Sequence, residues 1–235
     1  EAAAHATRQY IAGLQPGHGV LKLDFNNAFN TIRRDAVFDA VRQELPELYA
    51  FVYMCYKDTS LLNFGEHLLQ SDEGVQQGDP LGPLLYCAST MKLVRSMTSE
   101  LNLWYLDDGT IGGELHDLLH DIDTVRRVGS TIVLLLNEVK CEIVTNDDSV
   151  VSSFKAVMPN ILHTRGNDAV LLGAPIGDQS AIDNVLQSKL TVFQRFASRL
   201  TTLNAQDALF LLKNCLGLPK LLYTLRCAPC YNSAV

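Results

Sequence analysis

Hydrophobic and polar positions alternate through "VLKLDF", residues 20–25, and the alternation stops at Asp24, which marks the end of a strand. Ahead of it, "EAAAHATRQYIAGL" reads as a helical lead-in over 1–14 that opens in mid-helix, and the turn "QPGHG" separates it from the strand. Beyond it, Ile32, Val37, Ala40, Val41 and Leu45 share one side of a helix over about 33–45, and Pro46 starts the next. "SLLNFGEHLLQS" predicts a hairpin turning at Gly65 and Glu66, and a glycine-rich loop then opens a helix at "PLGPLLYCASTMKLVRSM". In "NLWYLDDGTIGG" an aromatic-apolar run and a glycine-flanked run enclose Asp107 and Asp108, which predicts a hairpin with both aspartates at its tip. Leu115, Leu118, Leu119, Ile122 and Val125 form the apolar stripe of an acidic helix over 114 to about 130. A strand around "KCEIV", a strand pair ending at "VLLGAPIG" and a helical pattern from Ala181 onward complete the chain. No repeat, low-complexity tract or long linker divides it, so the pattern predicts an α+β body followed by a helical end.

At 235 residues and 47% hydrophobic, the chain can bury a real core. No apolar run is seen to approach the roughly 20 residues that cross a bilayer, and no signal-peptide pattern opens it. The expectation is therefore an intracellular protein with no membrane partner. Six cysteines in a chain of this length do not make a disulfide scaffold. Cys55, Cys87 and Cys141 lie in apolar contexts that suit buried thiols, and Cys227 with Cys230 is a lone C-x-x-C without a second pair. His116 and His120 have i, i+4 spacing, but their position opposite the apolar stripe fits a solvated helix face better than a metal site. The net charge of −7 speaks against a simple nucleic-acid clamp. Acidic residues that hold cations count as negative in that sum, however. The last third also spreads Lys189, Arg195, Arg199, Lys213, Lys220 and Arg226 at spacings that suit helix faces.

Adjacent aspartates repel, so Asp107 and Asp108 need solvent or a cation to neutralise them. Asp24 ends the first strand, and if that strand neighbours the aspartate hairpin, three carboxylates converge at one sheet edge. Hard divalent cations require such oxygen ligands, and two of them can drive an in-line phosphoryl displacement.

The order "LDFNNAF", "GVQQGDPLGP", "YLDDG", "LLLNEVKCEI" and "LLGAPIG" resembles motifs A to E of a reverse transcriptase of the non-LTR retrotransposon kind, covering positions about 20 to 177. The resemblance implies a palm over 1–178, with a remnant of the fingers at 1–19, and the start of a helical thumb over 179–235. The palm's antiparallel sheet would be backed by helices, and the basic fingers would lie mostly ahead of residue 1. It implies that Asp24 and Asp107 hold two Mg²⁺ ions, Mn²⁺ being a possible substitute, with Asp108 beside them and the Phe25 carbonyl as a further ligand. Phe29 matches the aromatic that excludes a 2′-hydroxyl, Gln77 and Gly78 the pair that touches nucleotide and template, and Lys140 the lysine near the leaving pyrophosphate. Leu172 and Gly173 match the primer-gripping turn. The implied partners are an RNA template, a DNA primer and deoxynucleoside triphosphates, in the cytoplasm and nucleus.

Three positions depart from the motifs. Asn30 stands where many relatives have Asp, Gly82 where many have Ser, and Val133 where relatives usually have Gly before the motif D strand. Two rival readings are an RNA-dependent RNA polymerase and an inactive remnant that only binds. Phe29 and "QGDPLGP" speak against the first, and the intact carboxylates against the second. With its fingers absent, the isolated chain is expected to extend a primer poorly.

Overall fold

The computed structural model describes residues 1–233. In chain order it contains α1 (Ala2–Ala12), β1 (His18–Leu23), α2 (Ala28–Thr31), α3 (Arg34–Glu44), α4 (Tyr49–Tyr56), β2 (Ser60–Phe64), β3 (His67–Ser71) and α5 (Gly82–Arg95). Then follow β4 (Leu101–Tyr105), β5 (Asp108–Glu114), α6 (Leu115–Thr131), β6 (Glu142–Val144), α7 (Asp148–Val157) and β7 (Leu162–Thr164). The strands β8 (Val170–Leu171) and β9 (Ala174–Pro175) precede α8 (Gln179–Leu200), α9 (Ala205–Leu211) and α10 (Leu218–Cys227). The fold is α+β, with a five-stranded sheet of order β4-β5-β1-β6-β7 that contains the antiparallel β4–β5 hairpin.

Residues 20–143 and 152–162 make one compact unit. Its core is apolar and fully enclosed: Leu21, Ile32, Leu85, Ile111, Leu118, Ile122 and Ile143 are all under 2% exposed. The stripe read from α6 is the face that packs, with Leu118, Ile122 and Val125 buried and contacts to β5 and α5. One acidic residue of that helix is not solvated. Asp121 is fully buried and accepts the backbone N–H groups of Thr98 and Ser99 at 2.9 Å each, together with both of their hydroxyls. Four neutral donors satisfy its charge, so it ties α6 to the residues that lead into β4 and thereby to the aspartate hairpin. His116, five positions earlier, stays on the solvated face as expected.

The other unit comprises Glu1–Gly19, Val144–Val151 and the chain from His163 onward. Within it Arg8 of α1 donates to the carbonyl of Pro175 in β9 and to that of Cys227 at the end of α10. Asp178 caps α8 by accepting the Ser180 N–H at 2.8 Å, and Asn204 caps α9 by accepting that of Asp207 at 3.0 Å.

Two expectations from the sequence are corrected. The run Ala205–Cys227, in which α9, a π-helical turn (Leu212–Leu216) and α10 follow one another, is long and apolar enough by length and composition to cross a membrane, and almost none of it is buried. Its charges are too sparse to divide it, which a search for uninterrupted apolar letters misses. Cys55 is exposed rather than buried, because α4 turns Val52 and Tyr56 inward and leaves Phe51, Met54 and Cys55 outside.

Two stability predictions follow from this fold. Asp121→Ala leaves buried donors without an acceptor and should cost about 3 kcal/mol in urea unfolding, whereas a loss under about 1 kcal/mol would mean that the buried carboxylate does not anchor β4. Val133 has φ +62°, a left-handed conformation that a β-branched side chain adopts only under strain. Val133→Gly should therefore stabilise the chain by about 1 kcal/mol in the same assay, despite the greater flexibility of glycine when unfolded. A loss of stability would show that the left-handed backbone is not strained.

Candidate active site

The expected carboxylates all lie in the unit of residues 20–143. Asp24 follows β1 directly, Asp107 is in the two-residue turn between Tyr105 and its partner Asp108, and Asp108 opens β5. Strands β1 and β5 are neighbours, and the packing between them is close: a side chain at Gly109 would meet Leu23 at 3.2 Å and the Trp104 ring at 2.9 Å. Only glycine lets β5 approach there, which brings Asp108 alongside the end of β1. The turn itself needs Leu106 at φ +58°, a conformation rare for a residue with a side chain.

Electrostatics register the approach. The carboxyl of Asp108 is raised above the ordinary aspartate range, first by partial desolvation, then by the charges of Asp107 and Asp24, with Lys22 opposing. One oxygen of Asp24, Oδ1, is buried without a hydrogen-bond partner, and the Lys140 ammonium stands 4.0 Å from it, close enough to attract but not to bond. Among the described residues, no group of three His, Cys, Asp or Glu side chains closes around a position for a metal ion. The donor set nevertheless fits a hard cation, being all carboxylate with one oxygen left unpaired.

The backbone around Asp24 is held by the segment before β6. Asn137 N–H donates to the Asp24 carbonyl and Asn26 N–H to the Leu135 carbonyl, both at 2.8 Å, which pairs Phe25 with Leu136. These bonds use the neighbours of Phe25, so its own carbonyl, the expected further ligand, is not engaged by that bridge. The Asp24 N–H faces the Cys141 sulfur at 3.5 Å. Burial pushes the Cys141 thiol up to about 11, so it remains a neutral neighbour of the acidic cluster.

Phe29 lies in the short α2 that follows Asn27, whose left-handed backbone (φ +49°) starts the helix. Its ring stacks on Tyr86 with centroids 4.4 Å apart and planes at 17°. Tyr86 is fully buried, its hydroxyl has no partner, and burial raises its pKa above the ordinary tyrosine range, with Asp107 the next cause. A phenol therefore stacks on the aromatic of α2 within electrostatic reach of Asp107, a placement that sequence reading missed. Its only signal was position: Tyr86 sits in the apolar run "PLLYCAS", where an aromatic residue reads as core.

The loop carrying Gln77 and Gly78 is joined to the same helix, since Val75 N–H donates to the Phe29 carbonyl at 2.7 Å. Gln77 and Gly78 are exposed, with Gly78 at φ +90°. Leu172 and Gly173 form the β8–β9 turn, both at positive φ, in the other compact unit. Cys227 is buried and Cys230 donates its thiol toward the Thr224 carbonyl at 3.8 Å, so neither has the open setting of a ligand.

The family model of the reverse transcriptase (RNA-dependent DNA polymerase) matches residues 3–189. The "Retrotransposable element SLACS 132 kDa protein" of Trypanosoma brucei gambiense is 28% identical over 148 residues, which cover 57% of this chain and 12% of that protein. Among solved structures, telomerase of Candida tropicalis in complex with a TWJ fragment of telomeric RNA aligns at 14% identity with a TM-score of 0.48, over 72% of this chain and 30% of that one. Telomerase of Candida albicans with the same kind of fragment aligns at 12% identity and a TM-score of 0.44, over 62% and 29%. The family match runs from α1 into α8, across every segment that carries the carboxylates, the aromatic of α2 and the lysine, and the chain belongs to the reverse transcriptase (RNA-dependent DNA polymerase) family.

Proposed function

We propose that the chain is the polymerising domain of a non-LTR retrotransposon protein, which extends a DNA primer on an RNA template with deoxynucleoside triphosphates. The observation that carries this reading is the Asp108 carboxyl, raised by partial desolvation and then by the charges of Asp107 and Asp24, beside an Asp24 oxygen buried without a hydrogen-bond partner. Asp24 and Asp108, far apart in sequence, come close enough for the Asp24 charge to act on Asp108, a repulsion that a bound cation would relieve.

Asp24 and Asp107 would hold two divalent ions, Mg²⁺ in the first instance, with Asp108 and the Phe25 carbonyl completing the oxygen set. Bound there, the ions would activate the primer 3′-hydroxyl and neutralise the leaving pyrophosphate. Lys140, exposed and 4.0 Å from Asp24, could turn its ammonium to the pyrophosphate or donate a proton to it. The Phe29 ring cannot yield, because Tyr86 is stacked behind it. A sugar seated on it is selected by volume, so a 2′-hydroxyl is rejected without any hydrogen bond. Gln77 and Gly78 offer an amide and an open backbone to the base and sugar, and Leu172 with Gly173 a tight turn to the primer strand.

Two features favour this reading over an inactive remnant: the carboxylates are all present, and so is the buttressed aromatic. Asp107→Asn tests it, in the chain together with whatever sequence flanks it in its full-length protein. It keeps size and removes charge, so primer extension should fall by a factor of a thousand or more, on the order of 4 kcal/mol, with primer–template binding within about twofold of the parent. Extension within about tenfold of the parent would be too small a loss for a metal ligand.

A further inference from the structure

The Gln77–Gly78 turn is exposed on both residues and packs no side chain of its own into the core, so its shape has to be imposed from its ends. Binding sites on such turns are only as well defined as the groups that hold them. The incoming end is fixed to α2, where Gly74 N–H donates to Ile32 at 3.0 Å and Val75 N–H to Phe29 at 2.7 Å. That approach depends on glycine: a side chain at Gly74 would lie 2.4 Å from the Asn30 backbone. Across the turn itself stands one phenol. The Tyr56 hydroxyl accepts the Gln76 N–H at 3.3 Å and donates to the Asp79 carboxylate, whose other oxygen accepts the Leu81 N–H at 2.9 Å. Tyr56 thus bridges the residue before the turn to the residue after it.

Tyr56 is in turn held by Arg34. Tyr56 is 4% exposed, and the Arg34 guanidinium lies over its ring at 5.3 Å from the centroid. The same guanidinium donates to the carbonyls of Tyr56 and Asp58 at the end of α4, and to those of Glu73 and Gly74 as the chain enters the turn. It also donates to the Ser71 hydroxyl at the end of β3 at 3.3 Å. One planar cation therefore pins a helix end, a strand end and the loop to a single point, which an ammonium could not do.

We infer that Arg34, Tyr56 and Asp79 are positioning residues that set the Gln77–Gly78 turn and, through it, the affinity for the incoming nucleoside triphosphate. The inference deepens the proposed polymerase reading and rests on it for the identity of the ligand. The relay itself rests only on the hydrogen bonds. Burial, and after it the bond to Asp79, pushes the Tyr56 hydroxyl up to about 12, so it remains a donor throughout the range in which the protein would work. A phenylalanine in its place would leave the Gln76 N–H and one Asp79 oxygen without their partner while keeping the ring under Arg34.

Tyr56→Phe separates positioning from bulk stability. Amide hydrogen exchange on the chain without substrate should accelerate about tenfold or more at residues 76–81 and stay unchanged in β5 and α6. In single-nucleotide incorporation by the full-length protein, the KM for the triphosphate should rise about tenfold with kcat within about twofold. Arg34→Lys should move both readouts in the same direction. Unchanged exchange at 76–81, or a uniform acceleration over the whole chain, would overturn the relay as a local device. Faster local exchange with an unaltered KM would overturn the assignment of the turn to the nucleotide. A parent protein that incorporates no nucleotide would overturn the polymerase reading, and the exchange result would still judge the relay.

Discussion

Three carboxylates held within reach of one another in a partly dehydrated place set the terms for this fold. Two like charges about 6 Å apart at an effective dielectric constant near 20 repel by roughly 3 kcal/mol, comparable to a good fraction of a small domain's net stability. Asp24, Asp107 and Asp108 would separate if the chain allowed it, and the charges of Asp107 and Asp24 add to the desolvation that raises the Asp108 carboxyl. The surrounding structure has to be stiff enough to resist this repulsion when no cation is present.

It resists through neutral groups more than through opposing charge. Asp24 is fixed by its backbone, whose carbonyl accepts from Asn137 and whose N–H faces a thiol that burial keeps protonated. Asp108 is fixed by a strand that can lie against β1 because Gly109 leaves room for Leu23 and Trp104. The hairpin is fixed at its far end by Asp121, a fourth carboxylate whose charge is spent on four donors and adds nothing to the cluster. The Lys140 ammonium stops at 4.0 Å from the Asp24 oxygen that has no bond. A tight Lys–Asp pair there would stabilise the free chain and block the proposed cation site, so the looser arrangement suits the proposed uptake of an ion.

Much of this was legible from the letters. The strand ending at Asp24, the hairpin with aspartates at its tip and the α6 stripe are local periodicities, and each formed where it was expected. Val133 sits at φ +62°, a left-handed backbone that glycine adopts more readily than valine. What escaped depends on long-range geometry. Tyr86 and Arg34 look like an ordinary core aromatic and an ordinary surface cation until the ring is found under Phe29 and the guanidinium over Tyr56. The helix α7 was missed although Val150, Phe154 and Met158 recur at i, i+4 and i+8, because the strand-like run beside it reads more strongly. Asp121 could not be distinguished from the other acids of its helix without knowing where Thr98 and Ser99 would fall.

In the proposed reading, divalent cations bind at the carboxylate edge between β1 and β5. Mn²⁺ titration of the isotopically labelled chain tests it without any need for activity, because a paramagnetic ion broadens the amide resonances nearest to it. Residues 24–26 and 106–109 should broaden first, Mg²⁺ should compete, and Asp24→Asn should abolish the effect. Broadening that starts instead at the acidic face of α6 around His116 and Asp117, or that ignores the loss of Asp24, would contradict it.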